Sequence, residues 1–269
     1  MYILTLETTG KFASVAVADE NGMTVMSSSH AEMDHLRHIT VLTEECLSEM
    51  GICKGDITHV AASIGPGSFT GIRIGVTFAR TFAQILGLPC ISVPTLEGMM
   101  MLDEVRRQDA RDPSAEGYAV CTIINARRGQ TYGAIWKKES AAASSDTVKA
   151  DAKSGSLAGY VEVLPQGQHM IDDIIKTCND IGGKIFFYGD GIDAYGEIIS
   201  EKLTAGTAEF AGSALRYQSA DAAAKVAFIK AKDGDTVGFS DLLPNYMRKS
   251  EAETKLENGT LSGKIGVRK

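Results

Sequence analysis

The opening of the chain is built from short apolar and alternating segments. "YILTLETT" is an apolar run ending at Glu7, "ASVAVAD" (13–19) repeats with period two, and "MTVMSSS" follows Asn21-Gly22. Period two sends one side of each segment inward, and an Asn-Gly pair between such runs favours a tight hairpin. The pattern predicts three short strands in a meander. The period then lengthens. Leu36, Ile39, Leu42, Cys46, Leu47 and Met50 share one side of a helix predicted over 35–50, with Asp34 in the N-cap position and Gly51 after its end. "ITHVAASIG" reads as a strand and 71–87 as a helix closed by Gly87 and Pro89. "PCISVPT" reads as a short strand, and Thr95 reads as the cap of a further helix that runs to about 107. Three strands, helix, strand, helix, strand, helix is the order of a mixed sheet with helices packed on it, an α/β lobe.

A second run partly repeats that order. "YAVCTIINA" and "QTYGAIWKK" read as strands around a turn at Arg128-Gly129, and "KIFFYGDG" as a strand and glycine turn. Helices are predicted over 168–180, 193–202 and 219–231. The small, polar stretch 138–159 reads as a loop or weak strand without assigned function, and the pattern fades after 250. The predicted division is a first lobe over 1–108, a second over 109–250, and a fraying tail over 251–269.

Composition narrows the classes. A chain of 269 residues, 44% of them hydrophobic, has enough material for a large core without disulfide staples. Its net charge of −7 argues against direct, charge-driven binding to a nucleic acid backbone. Arg127-Arg128 with Lys137-Lys138 is the nearest thing to a basic patch and reads as solvated strand ends. Five cysteines with no C-x-x-C spacing predict free thiols in a reducing compartment. The N-terminus lacks the basic and apolar regions of a signal peptide, and no apolar run is long enough to span a membrane. The expectation is a cytoplasmic protein.

Candidate chemistry centres on "SIGPGSFTGIRIGVTFAR" (63–80). A Walker loop would need a lysine after its glycines, and Gly65, Gly67 and Gly71 are spaced one residue too long for a dinucleotide fingerprint. The glycines therefore read as a sharp strand-to-helix turn, although a helix N-terminus also attracts anions. On the helix behind them, Arg73, Thr77, Arg80, Thr81 and Gln84 occupy one narrow arc, and almost everything else is apolar or glycine. Gly71, Gly75, Ala79 and Ala83 recur every four residues as a ridge of small side chains. The pattern predicts a helix covered from two directions, by its own sheet and by a second chain; a thick core within the lobe is the alternative. The predicted partner interface comprises Leu36, Ile39, Leu42, Thr43 and Cys46 on the first helix, with Gly71, Ile72, Gly75, Phe78, Ala79, Phe82 and Ala83 on the second. His30, His35 and His38 read as a solvated helix start. No metal site is expected, although His35 and His38, at i and i+3, leave one open; neither G-x-S-x-G nor H-E-x-x-H is present, so acyl-transfer and zinc-protease chemistry lack their parts.

"ILTLETTGKFASVAVAD", "HLRHITVLTEECL", "SIGPGSFTGIRIGVTFAR", "INARRGQTY" and "LLPNYMRKSEAE" together resemble the bacterial TsaB family, also called YeaZ. The resemblance is dense over 1–135 and then rests on Tyr188-Gly189-Asp190-Gly191 and the tail. It implies two ribonuclease-H-like lobes of the actin/hexokinase/Hsp70 (ASKHA) type. It also implies a role in making threonylcarbamoyladenosine at position 37 of tRNAs that read codons starting with A. In that system the paralogue TsaD binds metal and nucleotide and carries the catalysis; the TsaB-like subunit is a non-catalytic scaffold that pairs with it through two first-lobe helices, here 35–50 and 71–87. The ATPase TsaE joins the pair, tRNA is met only through the complex, and the isolated subunit is expected to pair with itself. The H-x-x-x-H metal motif of the paralogue is absent from this chain.

The rival expectation is an ATP-dependent enzyme of the same fold, an ATPase or phosphotransferase. Its weak nucleotide cleft would be formed by Glu7 and Thr8 at the end of the first strand and by the Gly189 and Gly191 turn. Glu7 stands where nucleotide-binding relatives of this fold carry Asp, which counts against hydrolysis. No tightly held cofactor is expected.

Overall fold

The computed structural model describes residues 1–29, 35–102, 118–127, 129–138, 156–157 and 159–247. Two mixed sheets form the frame. The first contains β1 (Tyr2–Glu7), β2 (Ser14–Asp19), β3 (Thr24–Ser28), β4 (His59–Gly65) and β5 (Cys90–Pro94), in the order β3-β2-β1-β4-β5. The antiparallel meander runs β1–β2–β3, and β4 and β5 add in parallel. β1 is central: Leu4 faces Val17 on one side and Val60 on the other, and Ile3 through Leu6 are fully buried. A strand covered on both sides is apolar or hydroxylated along its whole length, which is why "YILTL" shows no clean alternation.

The helices α1 (His35–Met50) and α2 (Phe69–Leu86) cover one side of this sheet. Ile39, Leu42, Cys46, Ile72, Val76, Ala79 and Ala83 join Leu4, Leu6, Val15, Val17 and Val60 in one core. The opposite side is covered by α3 (Thr95–Met100) and, from far along the chain, by α6 (Ala220–Lys232). Alanines at 220, 222, 223, 224 and 227 let α6 lie close on Ile3, Ala16, Ala18 and Ala61.

The second sheet contains β6 (Ala119–Arg127), β7 (Gln130–Lys138), β8 (Ser156–Leu157), β9 (Tyr160–Met170), β10 (Gly183–Tyr188) and β11 (Gly206–Phe210), in the order β11-β10-β6-β7-β9-β8. β6, β7 and β9 are an antiparallel meander, and β10 and β11 add in parallel beside β6. Apart from the short edge strand β8, this repeats the topology of the first sheet. The helices α4 (Ile171–Ile181) and α5 (Gly191–Lys202) pack over one side on Cys121, Ile123, Ile135, Ile185 and Phe187. α3 packs on the other side, so Leu96, Met99, Met100 and Leu102 share a core with Trp136, Tyr160 and Tyr188 of the second sheet and with Ile91 and Val93 of the first.

Three differences from the sequence expectations have physical causes. The helix predicted from 168 begins at Ile171, because residues up to Met170 are held in β9 by pairing with β7 (Gln130 opposite Met170, Thr131 opposite His169). β9 and β11 were not predicted: "YVEVLPQGQHM" is interrupted by Pro165 and Gly167, and "GTAEF" is a short edge strand with little apolar character. α6 falls within 109–250 but lies on the first sheet, a long-range packing that local periodicity does not encode. The Asp34 N-cap, the helix end beyond 102, most of the 138–159 loop and the tail 251–269 lie outside the described residues.

Candidate functional site

The glycine segment works as a turn. β4 ends at Gly65, the Gly65-Pro66 peptide is cis, and α2 starts at Phe69 with Ser68 as its N-cap, whose hydroxyl accepts from the Gly71 amide at 3.2 Å. The Ser68 amide donates to the Thr9 carbonyl at 2.8 Å. Gly67, at φ 155°, could not carry a side chain here, since a Cβ would stand 2.5 Å from that same carbonyl. A Cβ on Gly71 would overlap the Thr8 carbonyl oxygen, and one on Gly75 would overlap the Thr8 hydroxyl, which itself donates to the Gly71 carbonyl at 2.8 Å. The start of α2 is therefore filled by the chain's own β1–β2 hairpin.

This placement corrects the predicted interface. Gly71, Ile72, Gly75, Ala79 and Ala83 on α2, and Ile39, Leu42, Thr43 and Cys46 on α1, are all buried within the first lobe. The small-residue ridge permits close approach, and at Gly71 and Gly75 what approaches is Thr8, just past the end of β1. Thr43 donates its hydroxyl to the Ile39 carbonyl at 2.7 Å, and Cys46 its thiol to the Val15 carbonyl at 3.1 Å. Burial pushes the Cys46 thiol up to about 11. The side chain of Leu36 lies outside the described set. Of the predicted interface residues, Phe78 and Phe82 are the two that remain half exposed, with ring centroids 6.2 Å apart.

The lobe does not sheathe α2 completely. Its outward side, with one residue of α1, forms a groove of about 490 Å³ lined by Ile39, Thr70, Arg73, Ile74, Thr77, Phe78 and Thr81. Large apolar side chains are exposed on the same two helices: Ile85 is 75% exposed, Phe69 52% and Val41 48%. Such side chains grouped on two neighbouring helices form a docking surface more often than a bare one. The side of the two helices that the sequence analysis singled out is the one turned into the lobe. The signal available was the set of large apolar residues, Phe69, Ile74, Phe78 and Ile85, lying off the glycine ridge.

The residues of the predicted nucleotide cleft are engaged internally. Glu7 is 1% exposed, and one carboxylate oxygen accepts from both the amide and the hydroxyl of Thr9 at 2.6 Å. Burial pushes its carboxyl above the ordinary value, against the donation it receives. Thr95, the first residue of α3, donates to Thr9 at 3.4 Å, and one turn later Met99 packs on the glycine turn of the second lobe. A Cβ on Gly189 would overlap the Ile123 carbonyl oxygen, and one on Gly191 would stand 2.9 Å from it. Asp190, between them, accepts from the Asn125 amide at 2.9 Å; burial pushes its carboxyl up. These glycines serve close packing of β6 against the start of α5. Among the described residues, no group of three or more His, Cys, Asp or Glu side chains is placed to hold a metal, and no helix is long and apolar enough to cross a membrane. His30 and the side chain of His35 lie outside that set.

Comparison with known proteins agrees with this architecture. The family model for TsaD, tRNA N6-adenosine threonylcarbamoyltransferase, matches residues 26–256. The Bacillus subtilis protein described as tRNA threonylcarbamoyladenosine biosynthesis protein TsaB is 25% identical over 255 residues, covering 95% of this chain and 97% of that one. Its Escherichia coli namesake is 31% identical over 142 residues, 52% of this chain and 56% of that one. The solved structure of YeaZ from Pseudomonas aeruginosa superposes with a TM-score of 0.65 at 20% identity, covering 91% of this chain and 99% of the other, a likeness of fold. The two sheets of matching topology are the two ribonuclease-H-like lobes of the actin/hexokinase/Hsp70 class. The chain belongs to the family that the TsaD model defines, on its TsaB (YeaZ) branch.

Proposed function

We propose that this chain is the non-catalytic pairing subunit of the machinery that makes threonylcarbamoyladenosine at position 37 of tRNAs reading codons that start with A. It acts in the cytoplasm and presents the outward side of α1 and α2 to a TsaD-like catalytic paralogue. A TsaE-like ATPase joins that pair, tRNA is met only through the assembled complex, and without the paralogue the chain pairs with itself over the same surface. It holds no cofactor or metal of its own. The carrying observation is the α1–α2 groove, mostly apolar in its lining, with the exposed Phe69 ring beside it under Arg73. The names borne by the similar proteins supply the chemistry of the pathway. Support against an independent enzyme comes from Glu7, whose carboxylate is committed to Thr9.

The test is co-expression with a TsaD-like paralogue, followed by sizing and by threonylcarbamoyl transfer to tRNA with and without this chain. A stable pair whose transfer depends on this chain is the expected result. No pair, or full transfer without it, overturns the reading. The rival, an ATP-dependent enzyme of this fold, predicts low-micromolar ATP binding with turnover by the isolated chain in magnesium, read by calorimetry and phosphate release.

A further inference from the structure

Beyond the second lobe the chain returns to the start of α2 as an extended strap. Leu242 is fully buried in the first-lobe core, and the Asn245 amide donates to the Ile64 carbonyl at 2.8 Å. The fit is close: a Cβ on Gly65 would stand 2.5 Å from the Asn245 carbonyl oxygen. This anchor carries Tyr246 to Phe69, with ring centroids 4.8 Å apart and planes 31° apart. The Arg73 guanidinium lies 5.5 Å from the centre of the same Phe69 ring. Strap and helix thus build one shelf of tyrosine, phenylalanine and arginine. It is held out to solvent: Phe69 is 52% exposed, Tyr246 43% and the neighbouring Leu243 56%.

The shelf is continuous with the groove, because Arg73 belongs to both. α2 contains Arg73 and Arg80 and no acidic residue, and among the described residues no carboxylate lies within ion-pair distance of Arg73. An arginine fixed over an aromatic ring is preorganised to pair with a carboxylate, and such pairs with aromatic anchors are typical centres of protein interfaces.

We propose that the catalytic paralogue covers the strap as well as the two helices, and that it lays an acidic side chain against Arg73 while an apolar side chain seats on Tyr246 and Leu243. This rests on the pairing reading above and adds to it a third contacting element and the residue that selects the partner by charge. A stacked RNA base is the competing occupant of an arginine–aromatic shelf. The aliphatic neighbours Leu243 and Ile74 and the net charge of −7 favour protein.

The experiment measures affinity for the co-purified paralogue, and tRNA binding by the complex, for Arg73→Glu, Arg73→Lys, Tyr246→Ala and, as a reporter of the groove itself, Phe78→Glu. Melting temperatures confirm that each variant is folded. Expected are at least a tenfold loss of pairing for Arg73→Glu, partial retention for Arg73→Lys, and a several-fold loss for Tyr246→Ala. Rescue of Arg73→Glu by an acidic-to-lysine change in the paralogue would identify the opposing carboxylate. If Phe78→Glu abolishes pairing while the Arg73 and Tyr246 variants pair normally, this inference is overturned and the pairing reading stands. If Phe78→Glu also pairs normally, the pairing reading itself fails. If the Arg73 and Tyr246 variants pair normally but lose tRNA binding, the shelf belongs to RNA and the proposal is wrong.

Discussion

Thr8 donates its hydroxyl proton to the carbonyl of Gly71 at 2.8 Å, tying the end of β1 to the first turn of α2. The contact exists because neither Gly71 nor Gly75 carries a side chain, and it decides how the two glycines respond to substitution. A Cβ on Gly71 meets Thr8 backbone, whereas one on Gly75 meets the Thr8 hydroxyl, which can rotate away. Overpacking of a closed core costs about 1–3 kcal/mol. Gly71→Ala is expected at or above the top of that range and Gly75→Ala near the bottom, measured by urea unfolding. Equal costs would contradict the geometry. Gly75→Arg is expected to prevent folding, so its failure to pair would carry no information about the interface.

The exposed apolar positions should behave in the opposite way. Ile85→Glu and Val41→Glu change side chains that are 75% and 48% exposed. Each should leave stability within about 0.5 kcal/mol of the parent and should weaken pairing with the paralogue. Sizing chromatography together with thermal melts checks both halves. A variant that melts early or pairs as before would remove that position from the docking surface.

Glu97, on α3, is mostly buried between the lobes, where its carboxylate accepts from the Gln166 side-chain amide of β9 at 2.8 Å. Burial is the largest influence and raises its pKa above 4.5, while the bond from Gln166 opposes the rise. A group whose folded pKa is raised favours the fold most below its unfolded pKa, and that contribution disappears as pH climbs through the folded value. Glu97→Gln should therefore flatten the decline of stability with pH from about 4.5 upward, and should gain relative to the parent toward neutrality. Melting curves from pH 4 to pH 8 on both proteins test this. A parallel pair of curves would mean that Glu97 titrates as it does in water.

Of the five cysteines, Cys46, Cys90, Cys121 and Cys178 are buried and Cys53 is exposed. Thiol reactivity needs access and a thiolate, and burial holds the Cys46, Cys90 and Cys121 thiols above their ordinary values. Brief treatment of the native protein with a maleimide should add one label, at Cys53, and treatment in denaturant should add five. Mass spectrometry of digests reads the outcome; native labelling at Cys46 would show that the α1–β2 contact opens.

Much of the frame was legible from local pattern. The meander, α1 from 35 to 50 and the turn into α2 follow from period and glycine. The orientation of α2 was not legible, because a ridge such as Gly71, Gly75, Ala79 and Ala83 fits any close surface, and its own β1 hairpin satisfies it as well as a foreign helix would. Glu7 carried a similar ambiguity: an acid ending an apolar run marks a ligand site or a buried cap equally well, and only the Thr9 bonds decide between them. The strap that brings Tyr246 to Phe69 joins positions too far apart in the chain for any periodicity to relate them.

The return of α6 to the first sheet sets an order on biosynthesis. Ile3, Ala16 and Ala18 leave the ribosome early, yet the alanines that shield them, from Ala220 to Ala227, are translated after both sheets have been specified. The first sheet therefore has to wait, with one greasy side partly unroofed, until the segment from Ala220 to Ala227 has been translated. A nascent chain released before α6 should be a substrate for chaperones and proteases, and supplying the missing C-terminal half as a separate polypeptide should restore solubility.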